Sequence, residues 1–525
     1  LSSLLSRYSV QLAFAGGCYA ALSLLANGYV FGVADHNIHL AFLDMARHAG
    51  RWDGDLLATA ARHHHSLFWT LQAPLADSLG VANWTALAYL ISLVTTGAAA
   101  YHLSLVLWAR TSTAILSLSL LAPAQFALGG VDTLDPLLLN RTAALPLELL
   151  AVALLYVRRP MWSFVALGLA ANLHVPSAAA LTAALAALHW SKLPGESKSY
   201  LLLPLLCPLL ALPVLIPWFT STGTPGTEIW VDGPWRAVLE ARMSHHLFAA
   251  TWHADEWLKM GFWLSLGALC LSLRQRPEAA RFVMKLIGAL CLWALTVAVL
   301  LGDSLGLALA LQLEAWQAFR FVTILCAMGA VAALVELPQR GLPRAASIAA
   351  LVAVLAASLQ FHERAQRRYL PGGEHGEIRE LGQWLEGNVP QGTKVMVPPV
   401  GLEQLRWRSL RPSTLHWKDG GEALFSRSFA LNWKREMERG CACRPFPEPL
   451  PSGARPGVRL AELRARLRTG HAAMTARQLR DTAQLTKARY LVTRSGLDLT
   501  ETDLESVYAG PTWSVYSARH PQPQR

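Results

Sequence analysis

The sequence predicts a polytopic α-helical membrane protein that ends in a small C-terminal α/β domain. Three observations carry that expectation. Of the 525 residues 53% are hydrophobic and only 15% charged, whereas a soluble chain carries about 25% charged residues, so most of this one must sit in lipid. Apolar runs long enough to cross about 30 Å of hydrocarbon recur along the first two thirds. After Phe361 the composition changes abruptly to charged and alternating segments.

Eleven spans are expected, near 9–31, 84–109, 112–129, 142–157, 161–174, 177–190, 199–219, 259–273, 282–301, 318–337 and 344–361. The first is long and no small-residue cleavage pattern follows it, so it reads as an uncleaved anchor. With the N-terminus inside, every inner loop carries a cation: Arg7, Arg110, Arg158 with Arg159, Lys192 with Lys198, Arg274 with Arg276 and Arg281, Arg340 with Arg344. That is the pattern of cytoplasmic loops. The outer loops are then 32–83, 130–141, the turn at His174–Pro176, 220–258 and 302–317. An odd number of spans puts 362–525 outside as well. The chain thus divides into a membrane domain, 1–361, and an extracytoplasmic α/β domain, 362–525.

The first outer loop opens on Asp35, His36 and His39 and continues through Asp44, Asp53 and Asp55. Ionisable groups beside a membrane are costly, which makes this stretch a functional-site candidate. Further along the loop, Leu67, Phe68, Leu71, Leu75 and Leu79 recur at helical spacing, as in an amphipathic helix lying along the interface. Prolines 204, 208, 213 and 217 suggest a bent helix lining a groove. In the tail, a strand at Lys394–Val397, an Arg/Trp-rich stretch from Arg406 to Trp417, helices near 423–439 and 459–486, and strands at 489–493, 505–508 and 513–517 indicate an α/β fold.

Each candidate group has a plain alternative. Asp35 and His39 sit one turn apart on a helix face, as a general base or part of a divalent-metal site, or Asp35 caps the helix. Asp55 joins them as a further acid. His63, His64 and His65 diverge on a helix and suit interfacial placement better than a shared ion. Arg141 could clamp a phosphate bidentately or pair with Asp132 or Asp135. His174 faces a cavity at an outer turn or is a satisfied buried imidazole. Arg242, His245 and His246, in a Trp-rich loop, suit a lipid-phosphate or sugar surface, or an anchor belt. Glu314 and Arg320 enter a span from outside, where charges point inward.

Other classes fit less well. The net charge of +11 comes with no basic stripe on a polar fold, which speaks against nucleic acid. A transporter would be expected to show related halves and charges deep within spans. Cys441 and Cys443 form a lone C-x-C, too sparse for a four-ligand zinc site.

The motifs FGVADHNIHLAFL, RWDGDLL, LNRTAALPLELL, NLHVPSA, RMSHHLF and LEAWQAFRF, with LGQWLEGNVPQGTKVMVPP, LRWRSLRPSTLHWK and KARYLVT in the tail, resemble the GT-C class of integral-membrane glycosyltransferases. They look most like a bacterial branch with a soluble C-terminal domain. The resemblance implies an inner-membrane protein with a periplasmic tail. It also implies a polyprenyl-phosphate-linked sugar donor, an acceptor hydroxyl on the outer face, and Asp35 as base or metal ligand. Asp35, His39 and Asp55 are then the catalytic candidates, with a divalent metal at Asp35 and His39 as one option. His36, Arg141, His174, Arg242, His245, His246 and Arg320 are the phosphate- and substrate-binding candidates. The rival is a non-catalytic subunit of a membrane complex that docks a partner through the Arg/Trp-rich 406–435 segment.

Overall fold

The structure is a computed structural model that describes residues 2–191, 198–221, 228–273, 275–340, parts of 345–354, 374–444, 446, 456–498 and 501–518. Most of the expected helices form among the described residues, but they are not uniform in length. The first span is α1 (Ser2–Asn27). The loop after it folds into α2 (His36–Arg47), the short α3 (Leu56–Ala61) and α4 (Phe68–Leu79), and α5 (Val81–Trp108) returns against α1. In α4, Phe68 and Trp69 are buried while Leu71, Leu75 and Leu79 stay exposed, so the helix carries an outward apolar stripe.

Helix α6 (Thr111–Leu121) stops short, and just beyond it, past Pro123, the chain enters a two-stranded hairpin, β1 (Phe126–Ala127) with β2 (Val131–Asp132). Then follow α7 (Asn140–Tyr156), α8 (Pro160–Leu173) and α9 (Val175–Trp190). The proline-rich stretch does bend: α10 (Leu206–Leu210) and α11 (Leu212–Ser221) belong to a helix pair broken by 69°. After them come α12 (Gly233–Leu247), α13 (Ala254–Ala268), α14 (Pro277–Ala294), α15 (Ala308–Gln312) and α16 (Ala318–Glu336).

Among the described residues, four helical stretches are long and apolar enough to cross a membrane: Tyr8–Asn27, Val81–Trp108, Pro277–Ser304 and Ala308–Glu336. The bent pair makes a fifth if it counts as one span. The expected spans near 112–129, 161–174 and 177–190 are shorter apolar helices, cut by Pro123 and by the turn at His174. Eleven full-length spans are therefore not seen. The expected span 344–361 and the charged segment after it lie mostly outside the described residues. The last long stretch, Ala308–Glu336, is 94% buried over its apolar window, so it is the core helix against which α13 and α14 pack.

The tail carries a mixed four-stranded sheet in the order β3-β4-β6-β5, from β3 (Val395–Met396), β4 (Tyr490–Arg494), β5 (Leu504–Ala509) and β6 (Trp513–Ala518). Strands β3 and β4 are parallel and the other pairs antiparallel. The helix Glu374–Asn388 packs Ile378, Leu381 and Leu385 against Val395, Val492 and Val515 in a core of their own. The middle of the tail behaves differently. Leu415, Trp417, Leu424, Phe429 and Trp433 share the main core with the membrane helices. That packing brings the tail to the first loop.

Candidate active site

Every outer loop named above meets the middle of the tail at one cavity of about 160 Å³. Asp35, at the start of α2, lies on its wall. It precedes the helix but makes no capping hydrogen bond with its side chain, because two cations hold it instead. Lys418 Nζ lies 2.5 Å from Oδ1, and Arg141 Nη2 lies 3.4 Å from Oδ2. Burial pushes the Asp35 carboxyl up, but the ammonium of Lys418 and the guanidinium of Arg141 outweigh it and hold the group well below the usual carboxylate range.

Of the alternatives weighed for Arg141, the ion pair with Asp135 is the one observed. Its Nε and Nη2 donate to the two oxygens of Asp135, at 2.8 and 2.7 Å, which aims the planar fork. The same residue lines the cavity beside Asp35. Arg320 does not reach the cavity. Fully buried, it donates from Nε to the Thr133 carbonyl and from Nη1 to the Arg141 carbonyl, and so anchors the backbone that carries Arg141.

Arg242 lines the cavity and is committed to the tail: Nε donates to the Trp417 carbonyl at 3.1 Å and the guanidinium lies 5.4 Å from the Trp417 ring. It thereby positions Lys418. The rings of His245 and His246 lie 3.9 Å apart, tilted by 40°, and also line the cavity, with His246 Nδ1 bonded to the Gly129 carbonyl. Gly130 is required beside them: its φ is +69°, and a Cβ there would meet both imidazoles at 3.2 Å.

His39 lines the cavity, its ring 4.7 Å from that of Trp69. Burial holds it well below the usual imidazole range, and His64 adds to the effect. His64 goes the other way. Burial would lower it, but the Glu422 carboxylate, 3.2 Å from Nδ1, raises it. His63 and His65 line the cavity together with His64. His174 lines it too, as the cap of α9.

Besides Arg320, two candidates are corrected. Asp55 is away from the cavity: it caps α3 by accepting from Leu57 N at 2.8 Å, and it also accepts from Arg406 Nε and Ser413 N, both at 3.0 Å. It is a buried tie between loop and tail. His36 is structural as well: Nδ1 accepts from Gly32 N at 3.1 Å and Nε2 donates to the Leu138 carbonyl at 3.0 Å. Burial pushes its pKa down to about 4, which keeps the ring neutral. Lys418 and Glu422 are charged cavity groups that sequence reasoning missed.

A metal does not fit these residues. Among the described residues no three His, Cys, Asp or Glu side chains are arranged to hold an ion, and the two cations occupy the side of Asp35 where one would bind. Cys441 and Cys443 are joined to each other as a disulfide. Within the Arg/Trp-rich segment, Arg406, Arg411, Trp417 and Trp433 are buried. Arg406 is spent on Asp55, Asp419 and His416.

No protein-family model and no curated protein matches the sequence. Among solved structures, the chain is similar to the archaeal oligosaccharyltransferase AglB from Archaeoglobus fulgidus in complex with an inhibitory peptide and a dolichol-phosphate, with a TM-score of 0.47 and 11% identity, covering 92% of this chain and 69% of that one. It is also similar to ArnT from Cupriavidus metallidurans bound to undecaprenyl phosphate, with a TM-score of 0.36 and 12% identity, covering 98% of both chains. Likeness at this level transfers no residue roles, and the chemistry rests on the cavity itself.

Proposed function

We propose that this protein transfers a sugar from a polyprenyl-phosphate-linked donor to an acceptor hydroxyl at this cavity. The observation that carries the reading is the Asp35 carboxylate held between Lys418 and Arg141. A carboxylate placed between two aimed cations, one of them fixed by Asp135, occupies the place a donor phosphate would take. A phosphate carries more charge and more acceptor oxygens than the carboxylate, and the guanidinium fork matches its geometry. When it enters, Lys418 and Arg141 turn to it. Asp35 then loses the charges that held it down and regains basicity inside a buried recess.

The freed Asp35 takes the proton of the acceptor hydroxyl. The acceptor oxygen attacks the anomeric carbon, and the carbon–oxygen bond to phosphate breaks with its electron pair left on the phosphate. Little covalent work falls to the protein, so positioning and charge stabilisation carry the rate. The lipid chain has a route out. A second cavity of about 140 Å³ shares His63, His65, Trp218, Gln312 and Phe425 with the first and is also lined by Phe219, Ile229 and Leu309. Phe219 and Ile229 are each 59% exposed, as suits side chains facing acyl or prenyl chains. In this reading the cavity opens on the extracytoplasmic side of a bacterial inner membrane.

Native mass spectrometry of the purified protein tests this directly. A retained polyprenyl phosphate, displaced by added polyprenyl-phosphate sugar and lost in Arg141→Gln, supports it. Retention of ordinary phospholipid alone, unaffected by that substitution, contradicts it.

A further inference from the structure

Behind the cavity wall lies a chain of polar groups that the transfer step above does not use. His174 caps α9 with its ring, and its Nδ1 is 2.6 Å from Ser177 Oγ and 3.4 Å from Ser177 N. Ser177 Oγ in turn contacts Glu148 Oε1, on α7. Ser177 and Glu148 are wholly buried. With Nδ1 turned to Ser177, Nε2 is the ring nitrogen left to face the cavity that His174 lines. At the far end, Glu148 Oε2 and Arg320 Nη2 are both buried without a hydrogen-bond partner, and Arg320 is the cation whose field acts on Glu148.

A serine hydroxyl has one proton, so this chain has two self-consistent states. With Glu148 protonated, its O–H donates to Ser177, the Ser177 O–H donates to Nδ1, and Nε2 presents an N–H to the cavity. With Glu148 ionised, Ser177 donates to Oε1, Nδ1–H donates to Ser177, and Nε2 presents a lone pair. The Ser177 N–H directed at Nδ1 suits the first state, in which Nδ1 is an acceptor, while the Ser177 O–H directed at Glu148 Oε1 suits the second, so the arrangement accommodates both.

We propose that His174, Ser177 and Glu148 form a proton relay that makes His174 the proton donor to the departing lipid phosphate. The proposal rests on the sugar-transfer reading for its substrate, but not for the relay itself. As the bond between anomeric carbon and phosphate oxygen breaks, that oxygen takes the proton on Nε2. Nδ1 takes the proton of Ser177, and Ser177 takes the proton of Glu148. Asp35 meanwhile holds the acceptor's proton, so one proton is gained and one given up by the protein in each turnover. The Glu148 carboxylate that results sits in the field of Arg320. Exchange with cavity water resets both ends. His174 touches the substrate in this scheme, whereas Ser177 and Glu148 act through it as positioning residues.

The test uses the full chain in nanodiscs, with Glu148→Gln, Ser177→Ala and Ser177→Thr. The first readout needs no substrate: ¹⁵N NMR of labelled histidine, with the His174 signal found by its loss in His174→Gln. The relay requires the His174 tautomer to switch with pH in the wild type and to be locked in Glu148→Gln. The titration is read against the charges that face His174, namely Arg141, Arg320, His64 and His39. The second readout is transfer from a polyprenyl-phosphate sugar. Ser177→Ala and Glu148→Gln should lower kcat by about 10²-fold, as expected for loss of a general acid, and shrink its solvent isotope effect. Polyprenyl-phosphate binding should stay within twofold, and Ser177→Thr should restore the rate.

Wild-type kcat in both variants together with an unchanged His174 tautomer overturns the relay and leaves sugar transfer standing. A tautomer that responds to Glu148 in a protein that transfers no sugar upholds the relay and overturns the substrate. A variant that fails to fold shows itself by losing lipid-phosphate binding, and Ser177→Ala, which removes a single oxygen, then decides.

Discussion

At the scale of single residues, the cavity separates groups that look alike in the sequence. Asp35 and Asp55 are both acids of the first loop, yet Asp35 faces cations across the cavity while Asp55 is consumed by a helix cap and a buried arginine. The capping role was legible: an Asp directly before the apolar run of α3 is a standard helix-start signal. It was outweighed by the attraction of a second acid near Asp35. Lys418 was not legible, because it reaches Asp35 from the far end of the chain and no spacing or periodicity encodes such a contact. Its role gives a sharp expectation. Lys418→Met removes a charge-assisted hydrogen bond of about 1.5–3 kcal/mol, so polyprenyl-phosphate binding should weaken by about 10- to 150-fold. Titration of the lipid in nanodiscs reads this, and unchanged affinity would place the phosphate elsewhere.

At the scale of elements, the site depends on the tail being drawn onto the membrane helices. Arg406 makes that junction: it is fully buried and bonded to Asp55 from the first loop and to Asp419 from the tail. Gly32 lets the tail approach, with φ +74° and Trp407 pressed where a Cβ would stand. Removing one partner of a buried ion pair costs about 3–5 kcal/mol because the others are left charged and dry. Arg406→Ala should therefore detach or unfold the segment around 406–433. Limited proteolysis should cut it there, and protection equal to the wild type would contradict the role. Helix and strand positions were largely readable from apolar periodicity, from α1 to the four strands of the tail sheet. Span lengths were not, since Pro123 and the turn at His174 end helices inside runs that remain apolar. In the Arg/Trp-rich stretch basic and aromatic composition reads as a docking surface, but Arg406, Arg411, Trp417 and Trp433 fill an interior, which composition does not reveal.

At the scale of the whole molecule, loops far apart in the sequence share one site. Residues from every proposed outer loop and from the tail do converge on one cavity, although no single motif was specific. The molecule also buries imidazoles in quantity, which sets its response to acid. Burial pushes His36 and His246 down to about 4 and His416 to about 3. Each binds a proton more readily in the unfolded chain, with a pKa near 6.5, than in the folded one. Stability from these groups is thus complete above about pH 6.5 and is lost as the pH falls toward 4, at up to about 1.4 kcal/mol per pH unit for each group. Melting in nanodiscs should show Tm falling steadily across that window, and a flat profile would contradict it. The most direct test of the central claim compares sugar transfer from a polyprenyl-phosphate-linked donor by the wild type and by Asp35→Asn. The expected result is transfer by the wild type and a loss of about 10²–10⁴-fold in the variant, with lipid-phosphate binding retained. Equal rates in the two proteins would contradict it.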